Sequence, residues 1–110
     1  MNRSSVLFIL GLITFTLVPN NTYTQQEGWF AQTSGTTNIL LAVSFADMNN
    51  GVAVGQAGTI LWTTSGGTVW VSQGSPSSIF LFGVSMSNSV TATAVGSSGT
   101  IMRTTSGGAT

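Results

Sequence analysis

Gly51-Val52-Ala53-Val54-Gly55-Gln56-Ala57-Gly58-Thr59-Ile60-Leu61-Trp62-Thr63-Thr64-Ser65-Gly66-Gly67 decides the fold, because the chain writes it twice. The second version is Ala92-Thr93-Ala94-Val95-Gly96-Ser97-Ser98-Gly99-Thr100-Ile101-Met102-Arg103-Thr104-Thr105-Ser106-Gly107-Gly108. Working outward, Trp29 through Val69 aligns with Trp70 through Thr110 without a gap, at an offset of 41 residues and with 17 identities. The matches include Trp29/Trp70, Gln32/Gln73, Ser34/Ser75, Leu40/Leu81, Val43/Val84 and Ser44/Ser85. A period near 40–45 marks repeat architectures, either helical solenoids or propeller blades. Helical repeats need apolar positions at 3.6-residue spacing and strong helix formers. Here Val, Ile, Thr, Phe and Trp are punctuated by Gly, Asn and Ser, which points to strands.

Each copy divides into short runs. Ile39–Phe45 reads as a strand with Leu41, Val43 and Phe45 on one face. Asp47-Met48-Asn49-Asn50-Gly51 follows, and its Asn-Gly pair predicts a tight hairpin in which both residues take positive φ. Val52–Gly55 returns, Gln56-Ala57-Gly58 turns, Thr59–Thr63 is a third strand, and Ser65-Gly66-Gly67 turns again. Trp70–Gln73 is expected to close that sheet. In the second copy the strands are Phe80–Met86, Thr91–Gly96 and Thr100–Thr104. The inner strands carry small and apolar residues on both faces, which suits a sheet held between two neighbours. The expected fold class is all-β: two blade-like antiparallel meanders of three or four short strands, forming an incomplete β-propeller behind an N-terminal signal helix.

Composition narrows the chemistry. The 110 residues are 42% hydrophobic and only 4% charged, against about a quarter charged in an ordinary soluble domain. The charged residues are Arg3, Glu27, Asp47 and Arg103; histidine and cysteine are absent. Zinc fingers, Cys–His and Ser–His–Asp nucleophiles and disulfides are thereby excluded. Two arginines make no basic patch for nucleic acid. Gly96-Ser97-Ser98-Gly99 joins two strands, so it is no phosphate loop. No cofactor or metal site is expected.

The N-terminus reads as an address. Arg3 precedes a 13-residue apolar run, Val6–Val18, which Pro19 breaks. This is the layout of a secretory signal peptide, and the run is shorter than the roughly 20 residues a membrane span needs. Residues 1–24 are assigned to the signal, with cleavage before Gln25, residues 25–28 to a lead-in, 29–69 to repeat one and 70–110 to repeat two. A secreted or periplasmic protein without a stable membrane span follows.

Thr63-Thr64-Ser65-Gly66-Gly67-Thr68-Val69-Trp70 resembles the Asp-box of bacterial neuraminidase repeats, Ser/Thr-x-Asp-x-Gly-x-Thr-Trp/Phe. Thr63, Gly67 and Trp70 match; Ser65 stands where Asp is usual and Val69 where Thr is usual. Thr104, Ser106 and Gly108 repeat the pattern. The wider line, Val43-Ser44-Phe45, Asp47, Gly51–Gly55 and Gly58–Leu61, is similar to the photosystem II assembly-factor-like branch of these repeats. The resemblance implies a propeller in which the box residues are structural: a short polar side chain at 65 binding its own turn, a glycine bend at 67 and an aromatic anchor at 70.

Neuraminidases that share the box use an arginine cluster, a Tyr–Glu pair and an acidic proton donor. This chain has Arg103, Glu27 and Asp47 to offer, and Tyr23 falls in the signal. Asp47 is expected to form its turn. Trp62 and Arg103, which share a repeat position, are the weak binding candidates, Trp62 by stacking and Arg103 by anion contact. Propellers use about four to eight blades, so two units, the second lacking its closing Trp strand, predict the N-terminal piece of a longer repeat protein, with self-assembly of several copies as the rival. The expected function is an exported, non-enzymatic scaffold or protein- or glycan-binding surface. The alternatives are part of a neuraminidase-like hydrolase whose catalytic residues lie elsewhere, and an assembly factor for a membrane complex.

Overall fold

A computed structural model describes residues 28–109. The expectations for the signal helix and its cleavage lie outside these residues. By internal contacts the chain forms two units, Met1–Ala31 and Gln32–Thr110. Within the first, residues 28–31 are described and form neither strand nor helix.

The second unit is all-β. Strands β1 (Leu40–Phe45), β2 (Gly51–Gly55), β3 (Ile60–Thr63) and β4 (Val71–Ser72) form one antiparallel sheet in sequential order. Strands β5 (Leu81–Asn88), β6 (Thr91–Gly96) and β7 (Ile101–Thr104) form the second. Sequential order follows from the short connections, which leave each strand only its neighbour to pair with.

The repeat keeps its backbone register, apart from a second irregularity in β5 between Met86 and Asn88. Leu40 pairs Gly55 and Leu81 pairs Gly96, and each first strand bulges at the next residue, before Ala42 and Gly83. Val54 pairs Ile60 as Val95 pairs Ile101. Between the second and third strands of each sheet lies a short 3-10 turn, Gln56–Gly58 or Ser97–Gly99. The middle residue of each is left-handed: Ala57 has φ 56°, Ser98 φ 59°. Such a conformation costs an L-residue about 1–2 kcal/mol, so its recurrence shows that the flanking ladder dictates the turn.

Alternation gives each sheet two faces. Ala42, Ser44, Val52, Val54, Ile60 and Trp62 form the forward face of the first sheet, directed at the second. Val84, Met86, Ala92, Ala94 and Met102 form the back face of the second sheet and, with the fully buried Leu81 at the start of β5, complete the core. The Ser44 hydroxyl accepts the Met86 N–H at 3.0 Å and so ties the two sheets together. Stacking is therefore head to tail: forward face of one unit on back face of the next.

Three expectations need correction. The Asn-Gly pair does not form the positive-φ hairpin, since neither Asn50 nor Gly51 has positive φ. Gly51 instead pairs with Phe45 inside β2. It is glycine because a Cβ there would stand 2.5 Å from the Phe45 ring. The loop is organised by Asp47, whose Oδ1 accepts the N–H groups of Asn49 and Asn50, both at 2.8 Å. Second, Leu41 falls in the bulge, which takes it out of the strict alternation of Val43 and Phe45. Third, β2 is buried throughout, but β6 is covered only on its back face: Ala94 is 7% exposed and Val95 43%.

Candidate functional site

The turn after each third strand is built by a threonine. Thr63 Oγ1 accepts the N–H of Ser65 at 3.2 Å and of Gly67 at 3.0 Å. The Ser65 hydroxyl lies 3.3 Å from it and accepts the Val69 N–H at 3.0 Å. Gly67 takes φ 97°, a region open to glycine at little cost. Thr104 Oγ1 accepts the Ser106 and Gly108 N–H groups at 3.2 and 3.0 Å, the same distances as in the first copy. Both turns are capped across the ladder by an equivalent bond: Gly66 N–H donates to Asn49 O and Gly107 N–H to Val90 O, each at 2.8 Å.

Trp70, at the entrance to β4, is half-buried. Its ring meets Phe45 edge-on with centroids 5.9 Å apart, a favoured aromatic geometry. Its indole N–H donates to Gln32 Oε1 at 3.4 Å, and Gln32 Nε2 donates to Gly66 O at 3.5 Å. Gln32 thus bridges turn and aromatic. Sequence reading matched Gln32 with Gln73 but gave neither a role; the signal was their recurrence beside the tryptophan.

Trp62 is 5% exposed and belongs to the core between the sheets, so its ring is not free to stack on a ligand. Arg103, at the same repeat position, lies exposed on the forward face of the second sheet. The two candidates meet in one largely apolar cleft between the sheets, which Thr104 and Gly108 of the second turn also line, while the turn residues at 63–70 stand outside it. Asp47 is fully exposed, and its carboxyl is held below its ordinary range by the backbone N–H groups of Asn49 and Asn50, then by the Asn50 side chain. Among the described residues no three His, Cys, Asp or Glu side chains cluster, and no helix is long and apolar enough to cross a membrane.

What the fold does create is an uncharged groove. It runs between the segment at Ser34–Asn38, residues 57–59 at the end of the first 3-10 turn and the segment at Ser75–Ser78, with Leu61 and Trp70 in its lining. Its walls are hydroxyl turns of one design. Ser34 Oγ accepts the Thr36 N–H at 3.2 Å and Ser75 Oγ the Ser77 N–H at 3.3 Å. Thr36 Oγ1 and Ser77 Oγ then accept the N–H two residues on, at Asn38 (3.0 Å) and Ile79 (3.2 Å). Serine, threonine and backbone groups rim this groove, above one aromatic. Such a lining can hydrogen-bond a polypeptide backbone or sugar hydroxyls, and it contains no charged side chain.

Sheets of this topology, stacked head to tail about a shared apolar layer, are consecutive blades: the chain has the fold of part of a β-propeller. No protein-family model matches it, and no curated protein matches it. Among solved structures it is similar to YCF48 bound to D1 peptide, with a TM-score of 0.60 and 29% identity over 68% of this chain. The match covers 26% of that protein, so this chain spans about a quarter of its length.

Proposed function

We propose that this chain is an exported, non-enzymatic propeller module that binds a segment of a partner protein in the uncharged groove. The observation that carries the reading is the likeness to a propeller described as bound to a peptide, YCF48. The groove supports it, since paired hydroxyl turns and one aromatic suit an extended, weakly charged peptide. A non-catalytic role is supported by how the reactive-looking groups are used. The Thr63 and Ser65 hydroxyls are engaged with their own turn, and Asp47 is engaged with its loop. On this reading the turns at 63–70 and 104–108 are degenerate Asp-boxes with a purely architectural role, and further blades or subunits complete the propeller. Export rests on the leader-like N-terminus.

The test is a titration of the chain, leader removed, against labelled extended peptides of low charge, read by anisotropy. Saturable binding is expected, weakened about tenfold or more by Ser78→Arg, which brings bulk and charge to the groove while leaving the circular dichroism unchanged. Failure of every peptide alongside binding to a glycan panel would replace this reading with the glycan one. Turnover of a fluorogenic glycoside would replace it with the hydrolase.

A further inference from the structure

The 41-residue repeat supplies a direct way to ask what the open face of the second sheet is made for. In the first sheet the forward face is Val52, Val54, Ile60 and Trp62, and the second sheet covers it. At the same register positions the second sheet presents Thr93, Val95, Ile101 and Arg103. Val54 is 1% exposed and Val95 43%; Ile101 is 72% exposed. Val and Ile recur where the first copy buries or half-buries them, yet no described residue lies over them.

The complementary surface is also present and is open along β1, while Ala53 and Leu61 on the same face are buried, at 6% and 2% exposure. The back face that covers the first sheet is built on Val84 and Met86. Their counterparts in the first copy, Val43 and Phe45, are 59% and 43% exposed. Each end of the two-sheet stack therefore shows residues that match one side of the interface in its middle, at the back end those of β1.

We propose that the forward face of the second sheet receives the back face of the first sheet of a second copy of this chain, joining copies head to tail. The internal interface fixes the contacts by transfer of register. Val54 and Val84 line one cleft, so Val95 of one copy lies against Val43 of the next. Ser44 accepts the N–H of Met86, so Ser85 accepts that of Phe45.

Charge selects a second copy over an unrelated partner. Trp62 lines a cleft with Ser89 and Val90; the same step sets Arg103 beside Met48 and Asn49, next to Asp47. Arg103 and Asp47 are the only charged residues among those described, and this arrangement juxtaposes them. A head-to-tail contact closes into a ring when the rotation allows. The inference rests on the fold and is independent of peptide binding.

The experiment uses the leader-free chain, which contains no cysteine. Light scattering coupled to size exclusion is expected to give an integral multiple, two or more, of the chain mass. Ile101→Asp is expected to return a single-chain mass with an unchanged β spectrum, because the side chain it replaces is exposed. A Val43→Cys/Val95→Cys double variant treated with a short bis-maleimide should give covalent multimers, and each single variant none. A wild-type mass of one chain overturns the proposal, as it would if further blades of a longer polypeptide were the true occupant. Equal cross-linking of a single variant also overturns it, since that marks a face packing on itself.

Discussion

Thr63 shows how much of this fold hangs on single hydroxyls. It is 1% exposed and accepts two backbone N–H groups, one of them from the buried Gly67. Thr63→Val keeps the shape and removes the acceptor. It should cost about 1–3 kcal/mol in urea unfolding, the penalty for buried donors left unpaired. Thr104→Val should cost less, because its turn is more open to water. Asp47 acts through charge. Its folded pKa is lowered by the Asn49 and Asn50 N–H groups, so its contribution to stability is complete above the ordinary carboxylate value of about 3.9 and is lost as pH falls through the lowered folded value. Asp47→Asn should flatten that acid limb of the melting-temperature profile, on the acid side of the ordinary carboxylate value. A difference between the two profiles that does not depend on pH would contradict this role.

At the scale of the element, strand existence was legible in the sequence and loop mechanism was not. The second and third strands could be read from β-branched and aromatic runs between glycines, and their bounds differ from the reading by a residue or so. The Asn50-Gly51 signal misled because a carboxylate three residues upstream offers the backbone better acceptors than a tight turn would, and because Gly51 is needed beneath the Phe45 ring. The bulge before Ala42 leaves no mark that a period-two pattern can reveal. The groove was illegible for a different reason. It joins residues near 36, 57 and 77, each an unremarkable hydroxyl or glycine turn, and only the path of the chain around the first sheet brings them together. Trp62 illustrates the same point, because a tryptophan on a strand reads alike whether it faces solvent or a neighbouring sheet. Since it is 5% exposed between the sheets, Trp62→Ala should cost about 3–5 kcal/mol in denaturant. Met48→Ala, at an 85% exposed position, should stay within about 0.5 kcal/mol of the parent.

For the whole molecule, low charge has a physical cause. Both copies invest their sequence in faces meant to be covered by another sheet and in turns closed by serine, threonine and glycine, which leaves few positions where a charge would be solvated. Head-to-tail stacking also explains why equivalent residues differ so widely in exposure, with Val54 buried and Val95 open. The measurement that tests this architecture most directly is a nuclear Overhauser spectrum of the methyl-labelled chain. Cross-peaks are predicted between the methyls of Val54 and those of Val84 and Ala94, together with a slowly exchanging Met86 amide held by Ser44. Cross-peaks from Val54 to Val43 with none to Val84 or Ala94 would show that the two copies do not stack in this register, and would contradict the account.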